Sequence, residues 1–246
     1  MDETRRILKR VFIALAYLAV FSGLGMLIYL LVKPKPAPPP APEAAALPIE
    51  TDWIKTFNAG PGLYTAAAKI RNPNGNFGAS YFDFTFYLYD QNGKLLATSA
   101  GSSFIWPGES KYIISGGIDS SKPPIKTVVK IGAPTWHKLA NFKGIDLTLG
   151  NISYGKGKAG TGKFFSVNFD AINNTPYDLG RVYITAIVLD DNSLPIAAAS
   201  TFLDNLQSRE RRHFEIPWFS SFPGTPSRVD LGISTDLWET PALLRL

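Results

Sequence analysis

The segment 155–165, GKGKAGTGKFF, comes within one residue of a loop that cradles nucleotide phosphates. That loop needs Gly, four residues of any kind, Gly, Lys, and then a Ser or Thr whose hydroxyl ligates magnesium. Gly157, Gly162 and Lys163 fit the pattern, and Phe164 stands where the hydroxyl is required. Such a loop also works only ahead of a helix, whose terminal amides face the anion. The residues after Lys163 alternate with period two instead. Phe165, Val167, Phe169 and Ala171 are apolar, and Ser166, Asn168 and Asp170 between them are polar. That is the pattern of a strand. The segment therefore reads as a basic hairpin loop with Lys156, Lys158 and Lys163 in solvent, and no nucleotide is expected.

The other residues able to do chemistry are few. With no cysteine in 246 residues, disulfides, thiolate zinc sites and a lipid-modified cysteine are excluded. His137 and His213 lack a His, Cys or carboxylate at metal-ligand spacing, so no metal is expected. His213 sits in SRERRHFEI with Arg211 on the same strand face, and no Gly-x-Ser-x-Gly elbow accompanies either histidine. The turns YDQNGK and LDDNSL carry too few carboxylates for a dedicated calcium site. They suit turns in which Asp and Asn side chains bond nearby amides. RERRH, residues 209–213, reads as a charge-guarded edge strand. Asn151 and Asn173 begin glycosylation sequons, which matter only in a glycosylating secretory pathway. Tyr81, Tyr87 and Tyr89, interleaved with Asp83 and Thr85, form the best binding lead. Exposed aromatics with polar neighbours suit protein or glycan contacts. The competing reading is cross-strand pairing on a solvated face, or packing against a second domain.

The elements that position these residues begin with an anchor. Residues 11–32, VFIALAYLAVFSGLGMLIYLLV, carry no charge. As a helix they extend about 33 Å, enough for a bilayer core of about 30 Å. The run is longer than a cleavable signal peptide usually needs. Four basic residues precede it and two come after it, which places the N-terminus in the cytoplasm and the body outside. Ala19 and Gly23 make one small-xxx-small pair. Residues 33–48 hold seven prolines and read as an extended stalk of roughly 50 Å. The net charge is +5, but the tail and stalk leave only +2 on the remaining residues. A nucleic-acid binder needs a concentrated basic face, so nucleic acid is excluded as a partner.

Beyond the stalk, period-two alternation dominates. In YFDFTFYLYD, residues 81–90, Phe82, Phe84, Phe86 and Leu88 point one way and the tyrosines the other. Asn92-Gly93 then supplies a hairpin turn in which both residues accept positive φ. The same plan returns at 182–201, VYITAIVLDDNSLPIAAAST. Asn72 precedes Asp90 by 18 residues, and Asn173 precedes Asp190 by 17. Asp90 precedes Glu109 by 19, and Asp190 precedes Glu210 by 20. Ile131 lies 22 residues after Glu109, and Leu231 lies 21 after Glu210. This is an internal duplication. Each copy, with its short strands and Gly, Pro, Asn and Asp turns, fits an immunoglobulin-like sandwich. Apolar residues on both faces of the second copy's strand, including Tyr183, Ile187 and Leu189, predict an interface between the copies.

FYLYD at 86–90 resembles the signature of the FxLYD domain family, with Phe86, Leu88, Tyr89 and Asp90 in place. RNPN upstream and PGES downstream are similar to that family's pattern as well. The second copy departs from it, with Ala186, Val188, Leu189 and Asp190 at the matching positions. The resemblance implies an immunoglobulin-like extracytoplasmic domain behind a membrane anchor, with no catalytic activity and no cofactor.

The expected protein is all-β, with two tandem immunoglobulin-like sandwiches behind one transmembrane helix. Its parts are a cytoplasmic tail (1–10), the span (11–32), the stalk (33–48), a first domain (49–138) and a second (139–246). The expected role is non-enzymatic, in interaction or structure at the cell envelope. The partners are the lipid bilayer through residues 11–32 and another envelope protein or glycan. Two alternatives stand beside it, an accessory subunit of a membrane assembly and an enzyme with an unrecognised site.

Overall fold

A computed structural model describes residues 2–32, 45–139, 141–240 and 243. The expected stalk lies outside the described residues except at its end. Two compact units result, residues 1–44 and 45–246.

The described residues of the first unit form one helix, α1 (Asp2–Val32). Within it Arg5–Leu31 contains an 18-residue stretch with a mean hydropathy of 2.4 that buries none of its side chains in the protein. It is long and apolar enough to span a membrane. The helix begins well before residue 11, so the expected tail continues the same helix. Ser22 is the hydroxyl-bearing aliphatic residue in the apolar run, and it donates to the Ala19 carbonyl at 3.1 Å. An unsatisfied hydroxyl would be costly in lipid.

The second unit is all antiparallel β. The first copy contains β1 (Glu50–Gly60), β2 (Leu63–Arg71), β3 (Phe77–Tyr89), β4 (Leu95–Ile105), β5 (Ser110–Asp119), β6 (Lys126–Ile131) and β7 (Thr135–Lys138). The second contains β8 (Leu147–Lys156), β9 (Phe165–Asn173), β10 (Leu179–Leu189), β11 (Pro195–Leu206), β12 (Arg211–Trp218) and β13 (Arg228–Thr235). The sheets run β1-β2-β5 and β4-β3-β6 in the first copy, with β7 also on β3. In the second they run β8-β9-β12 and β11-β10-β13. Strand for strand the two orders are the same, and each pair of sheets makes an immunoglobulin-like sandwich.

Alternation decides which side chains go inside. Along β3, Phe82, Phe84, Phe86 and Leu88 are buried, while Tyr81, Asp83, Thr85, Tyr87 and Tyr89 are exposed or half-buried. The inward set joins Ile70, Ile105 and Ile113 in one core. Phe169, Val182, Ile184, Leu206 and Leu237 build the second.

The repeated landmarks are the fold's polar staples. The Asn72 side-chain amide donates to the carbonyls of Phe77 and Trp106, each at 2.7 Å. Asn173 does the same to Tyr177 and Gln207, each at 2.8 Å. Each accepts in return from the backbone amide two residues on, at 3.0 Å. Glu109 accepts from the Trp106 amide and Glu210 from the Gln207 amide, both at 2.7 Å. Asn173 is 0% exposed, so its sequon is closed to modification in the folded state. Asn74 grips the Leu47 backbone from both sides at 2.8 Å. The chain is therefore already bound to the body at Leu47.

The two acidic turns also match. Asp90 accepts from the amides of Asn92 and Lys94, and Asp190 from those of Asn192 and Leu194. Only the third loop residue takes positive φ, at +76° in Gly93 and +60° in Ser193. The expected two-residue Asn-Gly turn is thus a three-residue loop ending in a left-handed residue. The Asp side chain closes it by capping two amides.

The copies stack face to face. The outer faces of β1, β2 and β5 meet those of β10 and β11, burying Phe57, Ala67, Ile187, Leu189 and Ala198 between them. Strands β2 and β11 each carry three consecutive alanines. The middle one of each run, Ala67 and Ala198, faces across the contact. Its neighbours face their own cores. Without bulk at these positions the two sheets approach closely. The apolar second face of β10 is explained by this contact, at Ile187 and Leu189.

Candidate functional site

The glycine loop forms no phosphate cradle. Residues 157–164 connect β8 to β9, and the Gly157 amide donates to the Phe164 carbonyl at 3.0 Å. A side chain at Gly157 would collide with the Lys163 carbonyl, which accounts for that glycine. Strand β9 comes next, where a helix would be required. Lys163 is not free in solvent as expected. Its ammonium pairs with Glu215 of β12 at 2.5 Å.

His213 has a carboxylate partner that residue spacing did not reveal. It lies across from Asp170 in the β12–β9 ladder, with Nδ1 3.0 Å from Oδ1. Asn151 donates to the same carboxylate at 2.5 Å, and Arg211 lies 3.9 Å away. These contacts, the His213 hydrogen bond first and then Asn151, hold the Asp170 carboxyl below its usual range. The partner was hidden because these cross-strand neighbours lie 43 residues apart in the chain. His137 bonds to the Ser80 hydroxyl at 2.9 Å and leans on the Trp238 ring. Among the described residues no three His, Cys, Asp or Glu side chains are grouped so as to hold a metal ion. The RERRH run lies on and beside the edge strand β12. Its Arg212 is spent on Glu210 and on the carbonyls of Asp204 and Asn205.

The three tyrosines share the outer face of β3. Tyr81 is 52% exposed and stands beside a bulge in the β3–β4 ladder. Tyr87 and Tyr89 are half-buried, and the Lys130 ammonium sits 5.3 Å from the centre of the Tyr87 ring. Tyr81 is six residues, roughly 20 Å, from Tyr87 along the strand.

Tyr81 belongs instead to a cleft that the sequence did not announce. Beside the apolar contact between the copies lies a cleft of about 790 Å³, lined by β3, β4 and β5 of one sandwich and β10, β11 and β13 of the other. Its aromatic wall includes Phe104 and Tyr183, with ring centres 5.6 Å apart. The Lys111 ammonium sits 3.7 Å from the centre of the Phe104 ring. It donates to the Phe104 carbonyl at 3.1 Å and to the Ser234 hydroxyl at 3.4 Å. The Tyr112 hydroxyl donates to Asp230, from one copy to the other. Trp106 reaches across in the same way, its indole N–H donating to the Thr235 carbonyl at 3.0 Å.

The electrostatics single out this cleft. Burial pushes the Lys111 amine down, with Glu109 and Asp236 partly offsetting it. Burial, then the hydrogen bond to Asp230, raises Tyr112. Burial also raises Tyr183 and the Asp236 carboxyl. Among the described residues, all the groups displaced chiefly by burial line this one cleft. Titratable groups perturbed by desolvation inside a concave site at a domain interface mark a candidate binding site. A sequence signal existed for half of it, the apolar second face of β10. The other half comes from residues 80–112, which only stacking brings opposite.

No family model matches the chain, and no curated protein matches it. Among solved structures, that of red sea bream transglutaminase is similar at 11% identity over 75% of this chain, with a TM-score of 0.23. The chain spans 29% of the length of that protein.

Proposed function

We propose that this chain is a non-enzymatic interaction or structural protein of the cell envelope. Residues 11–32 hold it in the bilayer with the N-terminus cytoplasmic and the β body outside. The sandwiches divide near residue 138, and the first is of the FxLYD type. The observation that carries the reading is the join of an apolar helix, with an 18-residue stretch of mean hydropathy 2.4 inside Arg5–Leu31, to a body whose repeated polar residues are spent on turns and corners. Basic residues before the span support the orientation. The cleft between the copies and the tyrosine face at Tyr81, Tyr87 and Tyr89 are the surfaces available to a partner.

A membrane-impermeant amine label on intact cells tests the topology. Lys156 and Lys158, exposed on the β8–β9 hairpin, are expected to react before lysis, and Lys9 only after it. The reverse order would overturn the orientation.

A further inference from the structure

We propose that the cleft between the two sandwiches is a saccharide site that takes a neutral oligosaccharide. The inference rests on the reading of the body as an extracytoplasmic binding module and names the ligand class of its cleft. The volume, about 790 Å³, falls within the range of small-ligand sites. The position between two packed domains is a usual one for such sites.

The charge pattern selects against ions. Lys111 lies within electrostatic reach of Glu109 and Asp236, and Lys69, Asp230 and Glu239 also line the cleft. A cationic ligand meets Lys69 and Lys111, and an anionic one meets Glu109, Asp230, Asp236 and Glu239. A sugar hydroxyl both donates and accepts, so it can serve a carboxylate and an ammonium in turn. An ammonium has three N–H donors. Among the described residues, two groups accept from Lys111, the Phe104 carbonyl and the Ser234 hydroxyl. One donor remains for a ligand oxygen. The Asp236 carboxylate accepts from the Trp238 amide at 2.9 Å and retains lone pairs for a ligand hydroxyl.

The walls suit a sugar ring. Tyr81 and Phe202 are 52% and 51% exposed and line the cleft, with the Arg181 guanidinium over one face of Phe202 at 4.3 Å. The Tyr183 ring, packed against the buried Phe104, lines it as well. Aromatic faces carry partial negative charge and attract the C–H side of a pyranose. Serine and threonine hydroxyls from β4 and β11, Ser102, Ser103, Ser200 and Thr201, complete the lining. A polyhydroxylated ligand reproduces the hydrogen bonds of the water it displaces, so desolvated polar groups are not left unpaired.

The test is calorimetric titration of the full chain in a zwitterionic detergent, since glycosidic detergents would compete for the cleft. The probes are maltotetraose, cellotetraose and N,N′,N″,N‴-tetraacetylchitotetraose, with spermidine and a tetraglutamate peptide as charged comparators. At least one neutral tetrasaccharide is expected to bind. Asp236→Asn and Tyr183→Ala are expected to weaken it about tenfold or more, while Lys158→Ala on the exposed β8–β9 hairpin leaves it unchanged. Should Tyr183→Ala fail to fold, Asp236→Asn, which removes only a charge, decides. Three results would overturn the assignment: no saccharide binding at about 10 mM, binding of a charged comparator alone, or saccharide binding that survives the cleft substitutions. Topology is read separately by the labelling of Lys156 and Lys9. A body found outside that binds no sugar sinks this inference alone, and a sugar-binding body found inside sinks the topology alone.

Discussion

Ser193 holds a φ of +60° at the position where the first copy has Gly93 at +76°. An L-residue in the left-handed region costs about 1–2 kcal/mol, and glycine does not carry that cost. Ser193 is exposed, so little is lost with its side chain. Ser193→Gly is expected to stabilise the chain by about 1 kcal/mol in denaturant unfolding, whereas Gly93→Ser lowers stability by a similar amount. Asn173 is the opposite case. Its amide satisfies carbonyls from two corners of the second sandwich, and its oxygen accepts from Thr175. Asn173→Ala strands these buried groups and is expected to cost about 2–3 kcal/mol in the same measurement. Both roles were half legible in the sequence. The spacing of Asn, Asp and Glu, matched within one residue between the two halves, marked these residues as repeated. It did not say that the repetition was one of hydrogen bonds, because their partners are backbone groups, which leave no trace in residue type.

At the scale of elements, the sheets β1-β2-β5 and β11-β10-β13 act as a pair. Ile187 is fully buried between the copies beside Phe57 and Leu189. Truncating it leaves a cavity between two hydrogen-bonded sheets, which relax only partially around it. Ile187→Ala is expected to cost about 2–5 kcal/mol, checked by thermal or denaturant unfolding. The polar side of the same contact responds to pH. Tyr112, donating to Asp230, has its folded pKa raised above the ordinary phenol value of about 10. Its contribution is therefore complete below about pH 10 and is lost as pH rises through the folded value, because the unfolded chain releases the proton first. Tyr112→Phe is expected to lower the melting temperature at neutral pH. It should also flatten the fall above about pH 10, when the two proteins are scanned side by side. Such a comparison cancels the opposite effect of the neighbouring Lys111. Asp170 has the other sign. Its depressed carboxyl supports the folded state above about pH 4 and ceases to as acid protonates it. Asp170→Asn should remove that part of the acid sensitivity of melting.

For the molecule as a whole, stacking converts two sandwiches into one four-layer body. Small domains bury a limited share of their surface, and here a second face of each copy is covered as well. The strand β2 shows the result, being buried almost throughout. The cleft is a consequence of the same stacking, since its walls come from both copies. A helix long and apolar enough to span a membrane, a β body and a shared cleft then define a protein whose proposed binding surface depends on its two sandwiches staying together.

Sequence alone determined what is local. Period-two alternation separated Phe82, Phe84, Phe86 and Leu88 from the tyrosines, because neighbouring side chains on a strand point to opposite faces. An uncharged run declared the helix, and turn residues declared the hairpins. Tertiary structure alone decided what is distant. It paired His213 with Asp170 and Lys163 with Glu215, set Ala67 against Ala198, and brought Lys111 beside Ser234 and Asp236. Residue order along the chain records periodicity, but these meetings depend on how whole sheets lie against each other, and that is settled by packing.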